Sequence, residues 1–151
     1  KNNEYRVQAA ETVAQLAERG MLDTQLLGEE LAYLLKNQWV ATNRVVQALK
    51  DTASISPLAG WRLVQVLENM LPAVSDINRG GSFVQLLVQL AGEYGVSIKI
   101  PEVLQPKMKG STVLAKSLRA LEKLQPHPTE LAEQARDQAQ ELLDQHRCAQ
   151  P

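Results

Sequence analysis

Cysteine, histidine and aromatic side chains are all scarce in this sequence. Cys148 is the single cysteine, which excludes an internal disulfide framework and any multi-cysteine zinc site. The two histidines, His127 and His146, leave few residues for metal coordination or for a catalytic triad. We therefore expect no catalytic residues, no metal and no cofactor, and a protein that is not an enzyme.

A large charge of one sign and a long apolar run are also missing. Sixteen Lys and Arg oppose seventeen Asp and Glu, and the net charge is -1. This balance excludes a uniformly basic nucleic-acid-binding protein. No uncharged apolar run reaches the roughly 18 residues of a membrane span, so we expect no membrane contact. The first residues, Lys1 to Glu4, include neither Met nor an apolar signal core, and we expect a C-terminal fragment of a longer protein.

What the sequence does contain points to helices. Leu, Ala and Gln are abundant, whereas β-branched runs are few, a composition typical of helices rather than sheets. Apolar residues recur at steps of three and four, which predicts an all-α fold. The pattern divides into seven predicted helices, over about residues 4–19, 23–37, 42–54, 57–74, 82–94, 112–124 and 128–147.

Short start and stop signals set several of these boundaries. Ser56 followed by Pro57 is a helix start, with Ser as the N-cap and Pro at the first helical position. We expect Ser82 to cap the next helix and Gly95 to close it. Ser111 or Thr112 is expected to cap the one after that.

Proline marks the interruptions. Pro72 lies near the end of its predicted helix, where we expect a kink or an early stop. Between 96 and 110 the helical pattern breaks, which indicates a loop with one short helical turn after Pro101. The last predicted helix carries Leu142 and Leu143 on its inward face.

The spacing of the helices indicates repeats. The first, third and fifth helices begin near residues 4, 42 and 82, a period of about 38–40 residues that HEAT-like repeats share. Stacked antiparallel helix pairs would form an α-solenoid, and the alternative is an irregular helical bundle. Either fold makes residues 1–151 one domain, with 125–151 as a terminal capping helix and tail.

One segment resembles a known family. Asn43-Arg44-Val45, followed by Ala48 to Asp51, is similar to the C-terminal region of an uncharacterised family of large bacterial proteins with HEAT-like repeats. The similarity covers about residues 6–124. It implies a cytosolic scaffold, and it suggests as partners a MoxR-type ATPase, a von Willebrand A-domain protein or a SWIM zinc-finger protein, since these are often encoded nearby. It supplies no catalytic residues.

Charge is unevenly distributed along the chain. Residues 99–123 carry six basic and two acidic side chains, and residues 124–151 carry two basic and five acidic ones. Lys116, Arg119 and Lys123 share one helical face and, with Lys107 and Lys109, could contact phosphates. Otherwise this stripe is a solvated face, or it pairs with the acidic stripe of the last helix. We favour an acidic stripe that forms the outer surface of a terminal cap.

Other candidate residues have ordinary structural interpretations. Trp61 is expected in the core, whereas Trp39 is either core or a partner anchor, and Arg44 is a possible partner contact. Residues 78–82 are expected to form an interhelical turn rather than an anion-binding nest.

The remaining polar candidates do not favour a reactive site. Glu29 and Glu30 are adjacent, so on a helix they diverge and cannot share a substrate. His146 and Cys148 are expected in a disordered tail. The sequence thus predicts a non-enzymatic helical-repeat scaffold that binds another protein through a concave surface. The alternative is a nucleic-acid-binding module that uses the basic stripe of residues 107–123.

Overall fold

The computed structural model describes residues 42–54, 56–77 and 79–149, and this part of the chain is helical without a strand. The prediction of an all-α fold is confirmed. The α-helices of the described part are α1 (Thr42–Ala53), α2 (Pro57–Met70), α3 (Gly80–Tyr94), α4 (Val113–Glu122) and α5 (Glu130–Ala149). Two 3-10 segments, Leu71–Asp76 and Glu102–Met108, lie between them.

The start of α2 is held by two side chains. The Ser56 hydroxyl accepts a hydrogen bond from the Ala59 N–H at 3.1 Å, as the N-cap prediction requires. Pro57 at the first helical position has no N–H to satisfy. The Leu58 N–H donates at 2.9 Å to the side-chain oxygen of Gln138, which belongs to α5. The helix start is therefore also a tertiary contact with the last helix.

Pro72 ends α2 in the predicted way. The α-helix stops at Met70, and the chain continues as the 3-10 segment Leu71–Asp76. Proline cannot donate to the preceding turn, and a tighter helical segment accommodates that loss. Leu71 and Val74 remain buried, so the change of helix type keeps their apolar side chains in the core.

The expected Ser82 cap of α3 is wrong, because the helix begins two residues earlier. Arg79, with φ 59°, occupies the cap position in the left-handed region, and Gly80 and Gly81 are the first helical residues. A Cβ on Gly80 would overlap the Val74 carbonyl oxygen. The predicted turn over residues 78–82 is therefore shorter than expected, because residues 80–82 already belong to the helix. At the other end, Gly95 closes α3 with φ 68°, as predicted.

Helix α3 occupies the centre of the described part. It packs against α1, α2, α4 and α5, and its apolar face is buried throughout. The largest fully buried side chains are mostly leucines, namely Leu49, Leu63, Met70, Leu71, Leu86, Leu87, Leu104, Leu118 and Leu121. A single connected core therefore joins residues from α1 to α5.

The segment between α3 and α4 is held to the core by buried side chains in its loop and in its 3-10 part. Ile98 and Ile100 are buried in the loop, and Leu104 is buried in the 3-10 segment Glu102–Met108. This segment is the short turn predicted after Pro101, and it extends further than one turn. Thr112 then caps α4 by accepting from the Ala115 N–H at 3.0 Å, as one of the two predicted caps.

Helix α5 packs mainly on α2 and touches α3. Ala135 is buried and Leu131 is partly buried, in agreement with the predicted inward face. The prediction that Leu142 and Leu143 face inward is wrong, since they are 43% and 52% exposed. Beyond the turn that contains Gln138, all of residues 141–145 of α5 are exposed.

The opposite charge stripes of α4 and α5 do not meet in this arrangement. Among the described residues, no ion pair joins the two helices, and α5 lies on α2 instead. The backbone of α5 is helical to Ala149, where the sequence predicted a disordered tail from His146. None of the helices described is long and apolar enough to cross a membrane.

Candidate protein-binding groove

A groove runs between α1 and α3. One section, about 430 Å³ in volume, lies against Val46 of α1 and Ser82 of α3, near the start of each helix. The next, about 570 Å³, reaches Ser54 of α1 and Tyr94 of α3, near the end of each. The two sections share Gln47, Lys50, Leu86 and Gln89 as lining residues, so they form one continuous groove.

The order of the lining residues shows that α1 and α3 are parallel. Early residues of one helix face early residues of the other, and late residues face late ones. From Ser82 to Tyr94 the α3 wall is about 18 Å long at the rise of an α-helix. This length is enough to accommodate two to three turns of a helix or a short extended segment.

The floor of the groove is apolar. Val46, Leu86 and Leu90 line it and are themselves buried, with exposed fractions of 9%, 2% and 5%. Leu131 of α5 closes the end nearest Tyr94. Because these side chains belong to the connected core, the floor is a rigid surface rather than a set of mobile side chains.

The walls of the groove carry amide side chains. The Gln47 Nε2 donates to Asp51 Oδ1 at 2.8 Å, within α1. Gln85 and Gln89 of α3 are exposed, and neither side chain makes a hydrogen bond within the part of the chain that is described. An amide group both donates and accepts, which is what a peptide backbone requires of a binding partner.

The charges on the groove are few and mixed. Among the described lining residues, Lys50 is a cation, and Asp51 and Glu93 contribute carboxylates. Such a balance gives no attraction for a phosphate backbone.

Tyr94 forms the end of the groove and joins α3 to α2. Its hydroxyl donates to the Pro57 carbonyl oxygen, and its ring lies 5.8 Å from that of Trp61 at an interplanar angle of 54°. Burial raises the pKa of Tyr94 to about 12, and the nearby charge of Glu93 adds to the shift. The phenol stays protonated at neutral pH, so it acts as a structural donor and not as a base.

Gly60 makes this contact possible. A Cβ at that position would overlap the Tyr94 hydroxyl.

No set of three or more His, Cys, Asp or Glu side chains suited to a metal ion occurs among the described residues.

Of the predicted basic residues, Arg119 is bonded to the loop that precedes α4. Arg119 of α4 donates from Nη1 to the Met108 carbonyl at 2.6 Å and to the Gly110 carbonyl at 2.9 Å. These bonds hold the 3-10 segment, which contains Lys107, beside α4. Lys109 follows the segment directly. Arg119 is therefore partly buried and structural.

The four lysines of the predicted stripe, Lys107, Lys109, Lys116 and Lys123, are all exposed. Trp39, Glu29 and Glu30 lie outside the described residues. The same holds for the side chain of Arg44, whose backbone belongs to α1. Trp61 is partly buried and packs against the core, as expected.

Sequence reasoning missed the groove, although a signal for it exists. Val-Gln-x-Leu recurs at Val46, Val64 and Val84, once in each of α1, α2 and α3. The Val and Leu are buried each time. The intervening glutamines of α1 and α3 are Gln47 and Gln85. They lie 38 positions apart and line the same groove. The copies place equivalent glutamines on neighbouring parallel helices.

The described residues form an all-helical domain with a groove between α1 and α3. The chain belongs to a family described as a domain of unknown function (DUF7825), whose model matches residues 1–89. The expected resemblance to an uncharacterised family is confirmed at that level, although the match ends at residue 89 rather than near 124. No curated protein and no solved structure matches the chain.

Proposed function

We propose that the chain is a non-enzymatic helical scaffold that binds a segment of another protein in the groove between α1 and α3. The observation that carries the proposal is a buried apolar floor beside wall amides that make no hydrogen bond to the described residues. Apolar side chains of a ligand would fill the floor, and Gln85 and Gln89 would satisfy its polar groups.

The repeat interpretation supports the same proposal. Solenoids present equivalent side chains from successive repeats along one concave surface. Gln47 and Gln85 have this relation, since they occupy the same place in two copies of Val-Gln-x-Leu on parallel helices. The HEAT-like architecture, a bacterial source and a cytoplasmic location belong to this proposal, together with the longer parent protein.

The first partners to test follow from the resemblance. A MoxR-type ATPase, a von Willebrand A-domain protein and a SWIM zinc-finger protein are each to be titrated against the full chain by calorimetry. We expect one of them to bind. Gln85→Arg with Gln89→Arg, which fills the groove wall with bulk and charge, should weaken that binding by about tenfold or more.

Gln134→Arg with Gln140→Arg is the matched control, because it adds the same two arginines to exposed positions of α5. This control should bind as the unchanged chain does. Equal affinity of the groove variant and the unchanged chain would contradict the groove as the binding site. Failure of all three candidates, in a pull-down with the full-length protein as well, would count against the partners and the scaffold function together.

Nucleic-acid binding stays a prediction with a narrower basis. Arg119 is used for the internal bonds to Met108 and Gly110, which leaves four exposed lysines. Passage of the chain over immobilised duplex and single-stranded nucleic acid at low salt is the test. We expect no retention, and salt-sensitive retention lost on Lys116→Ala with Lys123→Ala would favour the alternative.

A further inference from the structure

The α3 wall of the groove carries two rows of side chains, one polar and one apolar. Gln85 and Gln89 form the polar row, and Leu86 and Leu90 form the apolar row. Within each row the two residues are one helical turn apart, which is about 6 Å along the helix axis. The glutamines are exposed and the leucines are buried, so the amides lie nearer the solvent than the floor does.

An extended peptide repeats at nearly the same distance. Its alternate residues are about 6.6 Å apart, and their side chains point to the same face of the chain. Every second side chain of an extended segment in the groove would therefore meet Leu86 and Leu90 in turn. The side chains between them would point away from the floor, toward solvent.

The backbone of such a segment would face the walls of the groove. In a strand the N–H and C=O groups point sideways, and both groups of one residue lie on the same edge. A glutamine amide both donates and accepts, so Gln85 and Gln89 can each pair with both groups of one ligand residue. A helical ligand leaves these amides without partners, because its own N–H and C=O groups are bonded to one another.

The charges of the groove differ between its two ends. The section nearer the helix starts is lined by Lys50 and, among the described residues, by no carboxylate. The section that reaches Tyr94 adds Asp51 and Glu93. Within the described part of the chain, no ion pair engages Glu93. A cationic side chain of the ligand is therefore favoured at the Tyr94 end.

We propose that the groove binds an extended segment of the partner protein, in which apolar and polar side chains alternate and a lysine or arginine lies at the Tyr94 end. The inference rests on the proposed function, because it assigns the form of the ligand to the same site. The α3 wall accommodates about five residues of an extended chain. Their apolar side chains cover Leu86 and Leu90, and their backbone pairs with Gln85 and Gln89.

NMR titration of the full chain with short synthetic peptides is the test. The probe is acetylated and amidated Ser-Leu-Ser-Leu-Ser-Lys, made also in reverse order because an amide pairs with a chain of either direction. The competing probe is a lactam-stapled helix with two leucines one turn apart and the same terminal lysine. We expect one order of the extended peptide to shift the side-chain amide signals of Gln85 and Gln89, and to bind more tightly than the helix.

Gln85→Leu with Gln89→Leu separates the two forms of ligand, because it removes the amides and keeps side chains of similar size. It should weaken binding of the extended peptide by about fivefold or more, since at least one hydrogen bond is lost. The stapled helix should bind this variant at least as tightly as the unchanged chain. Gln134→Leu with Gln140→Leu makes the same change at exposed positions of α5 and should alter neither affinity.

The charge at the Tyr94 end has a test of its own. Replacing the lysine of the peptide by glutamate should weaken binding by about two- to fivefold, and Glu93→Gln should reduce this difference. Glu122→Gln removes the same charge from an exposed position of α4 and should preserve the difference. Equal affinities of the lysine and glutamate peptides for the unchanged chain would contradict the basic residue in the proposed ligand.

Failure of this inference can be told apart from failure of the proposed function. Tighter binding of the stapled helix at the same amide signals would overturn the extended form and would leave the groove as a binding site. The absence of any shift with either extended peptide would overturn it as well, and so would unchanged affinity for the Gln85→Leu, Gln89→Leu variant. The partner titration with Gln85→Arg and Gln89→Arg decides the proposed function separately.

Discussion

At the scale of single residues, Tyr94 shows how a polar group can be buried without a chemical role. It lies at the junction of α3 with α2, where its hydroxyl is paired with the Pro57 carbonyl and its ring rests on Trp61. Gly60 leaves the space for it. Tyr94 holds α2 and α3 together, and the same placement puts it at the end of the groove.

The pKa of Tyr94 gives the first prediction. Since it is raised from 10.0 to about 12, the unfolded chain loses this phenolic proton before the folded chain does. The free energy of unfolding should keep its full value below pH 10 and fall as the pH rises toward 12. In a titration of tyrosinate absorbance, one of the three tyrosines should ionise last, and Tyr94→Phe should remove that step. If the Phe variant kept the late step, the assignment to Tyr94 would be wrong.

Arg119 gives the second prediction, because its bonds can be separated from its charge. Arg119→Ala leaves the Met108 and Gly110 carbonyls without their donor and should destabilise the fold by about 1 kcal/mol. Lys116→Ala removes the same charge from an exposed position and should change stability by less than about 0.5 kcal/mol. Chemical denaturation of the two variants measures the difference. Equal losses would show that the Arg119 bonds do not stabilise the loop.

At the scale of elements, local signals predict a boundary well when the boundary is made locally. Ser56 with Pro57, Thr112 and Gly95 all act within their own turn, and each is found where the sequence indicates it. The start of α3 fails this test. Its first two residues are glycines that pack closely against Val74 and Leu114, and this packing is a tertiary feature that the local sequence does not show.

In α5, the periodic spacing of apolar residues likewise gives local information and no tertiary information. It correctly identifies a helix with one apolar stripe, but it does not show how much of the stripe a neighbour covers. Leu131 and Ala135 meet the body of the protein, whereas Leu142 and Leu143 do not. The groove between α1 and α3 could not be predicted for a related reason. It depends on how two helices are placed relative to each other, and all of α2 lies between them in the sequence.

The contact between α5 and the start of α2 gives the third prediction. Gln138→Ala leaves the buried Leu58 N–H without an acceptor and should cost about 1–3 kcal/mol. Gln134→Ala is the control, because among the described residues that side chain hydrogen-bonds to the exposed Glu130 of its own helix and to nothing else. Thermal unfolding should show a lower midpoint for the first variant alone. If both variants unfold at the same temperature, the Gln138 bond does not stabilise the packing of α5.

At the scale of the whole molecule, the boundary of the family match and the boundary of the core differ. The match ends at residue 89, inside α3. The buried side chains of α3 continue beyond that point with Leu90, Ala91 and Tyr94. Helix α4 makes its main contact with α3, and α5 covers α2. Residues 90–138 therefore complete the core that the matched region begins.

This mismatch gives the fourth prediction, on the length of chain needed for folding. A fragment of residues 1–89 would leave the apolar faces of α2 and α3 open, so it should lose the cooperative thermal transition of the full chain. A fragment of residues 1–141 is the control, because residues 142–145 of the segment it loses are exposed, and it should unfold within a few degrees of the full chain. Circular dichroism melting curves compare the three. A cooperative 1–89 fragment as stable as the full chain would mean that the matched region has a core of its own, and that α4 and α5 are additions to it rather than part of it.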